Sequence, residues 1–422
     1  MLIALHLLQN HAPSNLNRDD NNEPKDAIFG GVRRARISSQ AIKRSIRWSN
    51  HFRAPFETQG LLAIRTQLLP EKVRHHLVNA GLNDDDQRAI VEAAARLGKG
   101  EQRSPSGEGE AGDERGEQNQ PRSSPRSRRG SRQSNTTGDA ERIKTAQLMF
   151  LTENEIQQLA QRLIEIVREK GAKHLNELQG DTLVREIGEY EPHSVDIAMF
   201  GRMTTSSPFK DVEAAVQVAH AISTHAVEME FDFYTAVDDI SGEAGAGFIG
   251  DTTFNSATYY KYFSIDWDGL LKNLHGEQDI ARQAVEALIR AALFAIPSGK
   301  QNSFAAHNLP DLALVEVRKK NIALSYANAF VKPVRATGNP DSDKSHPANR
   351  VKPVRATGNL SLIEASAKAL EEYIPAINER YNLSAQRAFL STVPFTLSGA
   401  ECCSDLEKLI TWLSKQIGGG VQ

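Results

Sequence analysis

The chain has 422 residues and a mass of 46.5 kDa, with 40% hydrophobic and 24% charged residues, which fits a globular protein of two or three domains with a sizeable core. Its two cysteines, Cys402 and Cys403, are neighbours, so a disulfide framework and a thiolate zinc cage are excluded and a reducing, cytoplasmic setting is expected. The formal net charge is −3, but residues 1–53 carry nine Lys/Arg against four Asp/Glu, a local +5 that leaves −8 for the remainder.

The run Met1-Leu2-Ile3-Ala4-Leu5-His6-Leu7-Leu8 is apolar but short, and it lacks the basic start and small-residue cleavage site of a signal peptide. It reads as a buried strand. No stretch approaches ~18 uninterrupted apolar residues, so no membrane span is expected. Gln9 to Gly31 is a long polar connection with Pro13, Pro24 and Asn21-Asn22, a length that in a compact domain is usually functional or disordered. A helix then opens with Ser38 or Ser39 as N-cap, placing Ile42 and Ile46 on its buried side and Lys43, Arg44 and Arg47 on other faces. Residues 57–98 read as helices joined by short loops. Lys99 to Arg142 has no Leu, Ile, Val, Met or aromatic residue and cannot bury enough surface to offset chain entropy, so it reads as a disordered insertion. A tolerated loop expansion explains it better than a basic arm. Helical periodicity resumes from Ala146 to about Glu177, with Leu159, Leu163 and Ile166 on one stripe.

Val195–Phe200 reads as a strand, Gly201–Ser206 as a turn and Val212–Ala221 as a helix. Two β-rich arms, Val227–Val237 and Phe254–Ile265, flank the Gly-rich patch Gly242–Gly250, the pattern of a long hairpin or extended loop. Its aromatics, Phe231, Phe233, Tyr234, Tyr259, Tyr260, Tyr262 and Phe263, are expected to form the hairpin's own core more readily than to stack on bases. Further elements are a helix at Gln278–Ile296, a strand at Leu312–Val317 and helices at Ile363–Glu379 and Asp405–Gln416. The nonapeptide Val331–Asn339 recurs identically at Val351–Asn359. Two copies do not make a solenoid, so this reads as a duplication that lengthened a surface loop.

The strongest chemical signal is the window Ala27–Pro55, which holds Arg33, Arg34, Arg36, Lys43, Arg44, Arg47 and Arg53 and no acid. Solvated faces normally mix signs. Uncompensated cations beside Gly30-Gly31 and a Ser-capped helix start fit a phosphate-binding surface, with nucleic acid favoured over nucleotide because no Walker loop or dinucleotide fingerprint is present. Catalytic patterns are poor. Asp19-Asp20 and Asp238-Asp239 lack a partner set at recognisable spacing, and His220 and His225 lie five apart rather than on one helical face. No catalytic residue, metal or cofactor is expected.

Three segments near the N-terminus, Leu16-Asn17-Arg18-Asp19-Asp20, Lys25-Asp26-Ala27-Ile28-Phe29-Gly30-Gly31 and Arg36-Ile37-Ser38-Ser39-Gln40-Ala41-Ile42-Lys43-Arg44, resemble the signature of the CasC family. That family is the guide-RNA-binding backbone subunit of the type I-E CRISPR complex Cascade. Gly201–Ser206, Ala219–His225, Thr235–Asp239 and Ala327–Phe330 extend the match in order along the chain. The resemblance implies an α+β fold, with a ferredoxin-like, RNA-recognition-type palm, a helical fingers insertion and an extended β-hairpin thumb. The palm is then expected in residues 1–56, 191–227 and 263–422 (the last including the duplicated loop 331–359). The fingers are expected in 57–190 (with the insertion 99–142), and the thumb in 228–262.

The resemblance further implies a non-catalytic protein that polymerises along the guide RNA spacer and presents it for pairing with target DNA in antiviral defence. Partners would be guide RNA, further copies of the chain, other Cascade subunits and, through the guide, target DNA, with no membrane involved. RNA backbone contacts would fall on Arg18, Lys25, Arg33, Arg34, Arg36, Ser38, Ser39, Gln40, Lys43, Arg44 and Arg47. Arg202 and Met203 would press on a kinked strand, and Lys300 matches a basic position of the family. Replacing Lys43, Arg44 and Arg47 with Glu is expected to abolish RNA retention and leave the fold intact. The competing reading is a metal-dependent ribonuclease in which Asp19 or Asp20 supports cleavage.

Overall fold

The computed structural model describes residues 1–97, 143–204, 208–237, 239–240, 244–336 and 360–418. The 99–142 segment, the stretch 337–359 of the duplicated loop, Thr205, Ser206 and Asp238 lie outside the described residues. The chain forms two units. The first comprises Met1–Ala63, His193–Arg202 and Asp211–Gln422, and the second Ile64–Pro192 and Met203–Lys210.

The first unit begins with β1 (Leu2–Ser14), which is apolar on both faces because both are covered: Ile3, Leu5 and Leu7 enter one core, Ala4 and Leu8 another. The strand continues through Gln9–Ser14, so the polar connection is shorter than expected. That connection also carries β2 (Asp26–Phe29), which pairs antiparallel with β3 (Val32–Ile37). Gly30 and Gly31, at φ +62° and +79°, make the two-residue mirror-image turn between them, a conformation that side chains resist. Next come α1 (Ser39–Trp48) and α2 (Asn50–Glu57), capped by Ser38 and Ser49, whose hydroxyls accept from the Ala41 and Phe52 N–H groups. Ile42 and Ile46 are buried, as their spacing predicts.

The second unit takes in β4 (Ala63–Thr66) from its second residue on, followed by α3 (Leu69–Leu77) and α4 (Asp84–Arg96), and then by β5 (Met149–Thr152), α5 (Glu153–Glu177) and α6 (Gly180–Ile187). Leu159, Leu163 and Ile166 of α5 are buried with Val73 and Ile90 in one core. The β4–β5 ladder corrects an all-helical reading of this region. Four residues per strand are too few to show a period of two.

Two further expectations are overturned in the first unit. Val195–Phe200 is not a strand but a helix, α7: all six residues are buried, so no alternation distinguishes the two, and the Ser194 hydroxyl starts the helix by accepting from Ile197 N. The expected helix at 212–221 is replaced by β6 (Val216–Val218) and β7 (Ala221–Ser223), both of which pair with β9. The next elements are β8 (Glu230–Val237), β9 (Ala244–Asp266), α8 (Trp267–Asn273), α9 (Gln278–Phe294) and α10 (Gln301–Phe304). β10 (Leu312–Arg318), α11 (Leu362–Arg380), β11 (Gln386–Ser391), β12 (Ala400–Cys402) and α12 (Leu406–Gly418) complete the unit.

The sheet order is β12-β11-β10-β1-β9-β7-β3-β2, with β6 and β8 also on β9. Its described pairs are antiparallel except β11–β12, so the architecture is mixed α+β around one large sheet. Residues of α1, α2, α9 and α12 cover one face, and α11 with the turn Ala327–Phe330 covers the other. The inner part of β9 lies against β1, where Tyr259, Tyr260, Tyr262 and Phe263 are buried. Among the described residues its outer part pairs only with β8, whose eight residues are all exposed. Phe231, Phe233 and Tyr234 therefore do not form a core within the hairpin, contrary to expectation: an isolated two-stranded ribbon has no second layer to bury them.

Candidate nucleic-acid interface

Four pieces of the first unit meet at one place: the loop 15–25, the β2–β3 hairpin, the first turn of α1 and the turn after α9. Asn17 and Lys25 join the first three: Asn17 Oδ1 accepts from Ser38 N at 2.8 Å, its carbonyl accepts from Lys25 N at 2.8 Å, and the Lys25 carbonyl accepts from Arg36 N of β3 at 2.9 Å. Asn15 donates to Asn22 O and Thr253 O, which ties the loop to the base of the β8–β9 hairpin. The turn after α9 closes on the same loop through Gly299, where a Cβ would stand 2.3 Å from Leu16 O. Glycine is required there.

The sequence-selected residues divide by what they already hold. Arg34 is 0% exposed. Its Nε donates to Phe29 O at 3.2 Å, its NH1 to Ser223 O at 3.2 Å, and its NH2 to Phe330 O at 2.7 Å. Burial lowers its pKa from the ordinary value, and the carbonyls supply the solvation it has lost. Arg47 is half-buried on Asp196 at 2.8 Å and also donates to Ala63 O. Asp196 in turn accepts from Ala63 N and the Ser194 hydroxyl. This pair corrects the expectation that Arg47→Glu would leave the fold intact, since it would set two carboxylates against each other in a partly buried site. Ser38 is buried as the α1 cap, and Arg202 is buried with its backbone paired to Val212.

Others face outward. Arg18 is exposed and reaches Asn22 Oδ1 at 3.3 Å, and Arg33 is exposed with Asp26 at 3.0 Å. Arg36 is half-buried, held by Asp26 O at 2.9 Å and by His220 Nδ1 at 3.3 Å. An arginine can only donate, so His220 accepts through Nδ1 in its neutral form. Burial, Arg36 and Lys25 all lower its pKa. Lys25, Ser39 and Lys43 are half-buried, and Gln40 and Arg44 are exposed. Lys300 adopts φ +47° and donates to Thr252 Oγ1 at 3.1 Å. Met203 is 87% exposed and belongs to the second unit.

The histidine and carboxylate motifs have structural roles. His225 accepts from Thr258 N through Nε2 and donates from Nδ1 to Ala226 O. Asp19 uses its carboxylate inside its own loop, accepting from Asn21 N and Glu23 N at 2.9 Å each. Among the described residues, no three His, Cys, Asp or Glu side chains gather as a metal site would need. No described helix is long and apolar enough to cross a membrane, and both cysteines are free thiols.

Compared with known proteins, residues 3–350 match the family described as CT1975-like protein. The chain belongs to the CT1975-like family. The CasC resemblance of its motifs is thereby borne out, together with two solved structures. One, titled "CRISPR RNA-guided surveillance complex, pre-nicking", is 27% identical with a TM-score of 0.73, covering 99% of this chain and 100% of the other. A second, titled "CRISPR RNA-guided surveillance complex", is 22% identical with a TM-score of 0.64 over 100% of both chains, and shares the fold. No curated protein has a significantly similar sequence.

Sequence reasoning missed Asn15, Asn17 and Gly299, which assemble the patch, and Trp48, which is 64% exposed on α1 between Arg44 and Arg53. Trp48 carries its own signal: it stands inside the acid-free window, out of register with the buried pair Ile42 and Ile46.

Proposed function

We propose that this CT1975-like protein is a non-catalytic, RNA-binding backbone subunit of a Cascade-type, type I-E CRISPR complex. It would polymerise along the guide RNA and leave the bases free to pair with target DNA. The observation that carries this reading is the cationic patch of loop 15–25, the β2–β3 hairpin and α1, in a chain that matches a surveillance-complex subunit over its full length. Arg18, Lys25, Arg33, Arg36, Lys43, Arg44 and Lys300, with Ser39 and Gln40, contact phosphates on this reading. Phosphate contacts carry no sequence information, so one protein holds any guide while base pairing reads the target. Arg34, Arg47, Arg202 and Ser38 act from beneath, holding the surface in shape.

The first unit is the palm, the second the fingers, and β8 with the outer part of β9 the thumb. The strand order β10-β1-β9-β7, with α1–α2 and α9 as crossovers on one face, supports a ferredoxin-like palm. The exposed Phe231, Phe233 and Tyr234 of the thumb suit a contact with the next copy, and a head-to-tail contact that does not close generates a helical filament. Met203 suits contact with a kinked strand. The ribonuclease reading is weakened by the engagement of Asp19 with its own loop.

Purification of the chain after co-expression with a CRISPR array and the remaining complex subunits tests the proposal. Guide-length RNA is expected to copurify, and its absence overturns the reading. Metal-dependent cutting of target RNA that is lost in Asp20→Ala would replace it with the enzyme.

A further inference from the structure

Helix α1 presents a stripe of which the phosphate patch uses only Arg44: Ala41, Arg44, Ser45 and Trp48 recur at helical spacing and line a groove of about 520 Å3. Its opposite wall is the turn Ala295–Gly299, and no acid lines it. Trp48 projects 64% exposed at one end, with the guanidinium carbons of Arg44 and Arg53 at 5.9 Å and 5.3 Å from its ring centroid. Arg53 is braced there by Glu57 at 2.7 Å. Burying the ring within this chain would need a further layer, and none of the described elements covers it.

We propose that this groove is a nucleobase site, in which one unpaired base of single-stranded RNA stacks on Trp48 and its flanking phosphate meets Arg44. The inference rests on the RNA-binding reading and adds to it a contact with a base rather than with the backbone. An exposed indole favours a flat, polarisable ring over an aliphatic chain. Two cations beside it favour a ligand carrying negative charge. Ala41, Ile296 and Pro297 give the slot apolar walls, and its volume lies in the range of small-molecule pockets. A nucleotide joins those three properties in one ligand. Stacking tolerates any base, so the site is compatible with guides of any sequence.

Tryptophan emission reports on the groove directly. Of the three tryptophans, Trp267 and Trp412 are 6% and 7% exposed, so a change on ligand binding is read from Trp48. The full chain, freed of copurifying nucleic acid, is titrated with 12-nucleotide oligouridylate and, separately, with long-chain polyphosphate, which has the charge and no bases. Oligouridylate is expected to quench the emission and polyphosphate to bind without quenching. Trp48→Ala is expected to weaken oligouridylate binding by roughly fivefold or more, and Trp48→Phe by less, because phenylalanine still stacks.

Binding of oligouridylate without quenching, or with equal affinity in Trp48→Ala, overturns this inference and leaves the RNA-binding reading standing. So does a Trp48→Ala protein that melts earlier yet binds equally, since the indole would then be a structural clamp for its two arginines. A chain that binds neither oligouridylate nor polyphosphate overturns both readings together.

Discussion

Strand β3 and helix α1 follow one another in the same acid-free window, yet they use their arginines in opposite ways. In β3, alternate side chains point to opposite faces of the sheet, so Arg33 faces out and Arg34 is driven inward. There its donors gather the carbonyls of Phe29, Ser223 and Phe330. In α1, Ile42 and Ile46 take the buried face, Arg47 flanks it on Asp196, and Arg44 stands on the open stripe with Trp48. Cationic composition therefore does not define a binding surface. The period of the element decides which cations hold the protein and which remain for a ligand.

That division is most exposed to failure at Arg34. Arg34→Ala takes the guanidinium donors away from the buried carbonyls of Ser223 and Phe330 and from the part-buried carbonyl of Phe29, and is expected to lower unfolding free energy by about 3 kcal/mol or more in urea titrations. A variant as stable as the parent would break the comparison outright.

Arg47→Glu sharpens the contrast within α1 itself. It sets a second carboxylate against the partly buried Asp196 and is expected to cost about 2–4 kcal/mol, whereas Arg44→Glu on the same helix should leave thermal unfolding nearly unchanged. Calorimetry of the two variants side by side checks this.

A smaller effect comes from pH. Burial, with the Lys261 charge adding to it, lowers the His11 pKa to about 3, and burial also lowers that of His225. The unfolded chain takes up these protons near pH 6.5 and the folded one does not. Stability is therefore full above pH 6.5 and lost as pH falls below it, by about 1.4 kcal/mol per unit for His11. Urea titrations at pH 7 and 5.5 should show the loss, and His11→Gln should reduce it.

Smallest in stability are Arg33→Ala and Arg44→Ala, each expected within about 0.5 kcal/mol of the parent. Both should nevertheless weaken RNA binding, each reducing the salt dependence of log affinity by about 1. Filter binding across a salt series reads this. Unchanged slopes would place the phosphates elsewhere.

Much of this organisation was legible beforehand. The Ser38 cap, the buried Ile42 and Ile46, the long helix α9 and the β-rich arms of the hairpin follow from local spacing, and local spacing is what sequence displays. Three features were hidden. Val195–Phe200 is buried on every side, which erases the difference between strand and helix periodicity. β6 and β7 are three residues each and exist because β9 is there to pair with them. The aromatics of the hairpin looked alike in sequence, but Tyr259 and Tyr260 lie in a layered sheet while Phe231 and Phe233 lie in an uncovered ribbon.

By itself, the sequence determined the family motifs, the concentration of cations between Ala27 and Pro55 and the helical and β character of the longer elements. These depend on residue type and spacing over a few turns of chain. Only the tertiary structure decided which cations are available. Arg34 needs carbonyls 189 and 296 residues away to be held, and Arg47 needs a carboxylate 149 residues away. Partners that distant are set by how the strands order in the sheet and how α7 packs under α1, and no local pattern encodes them.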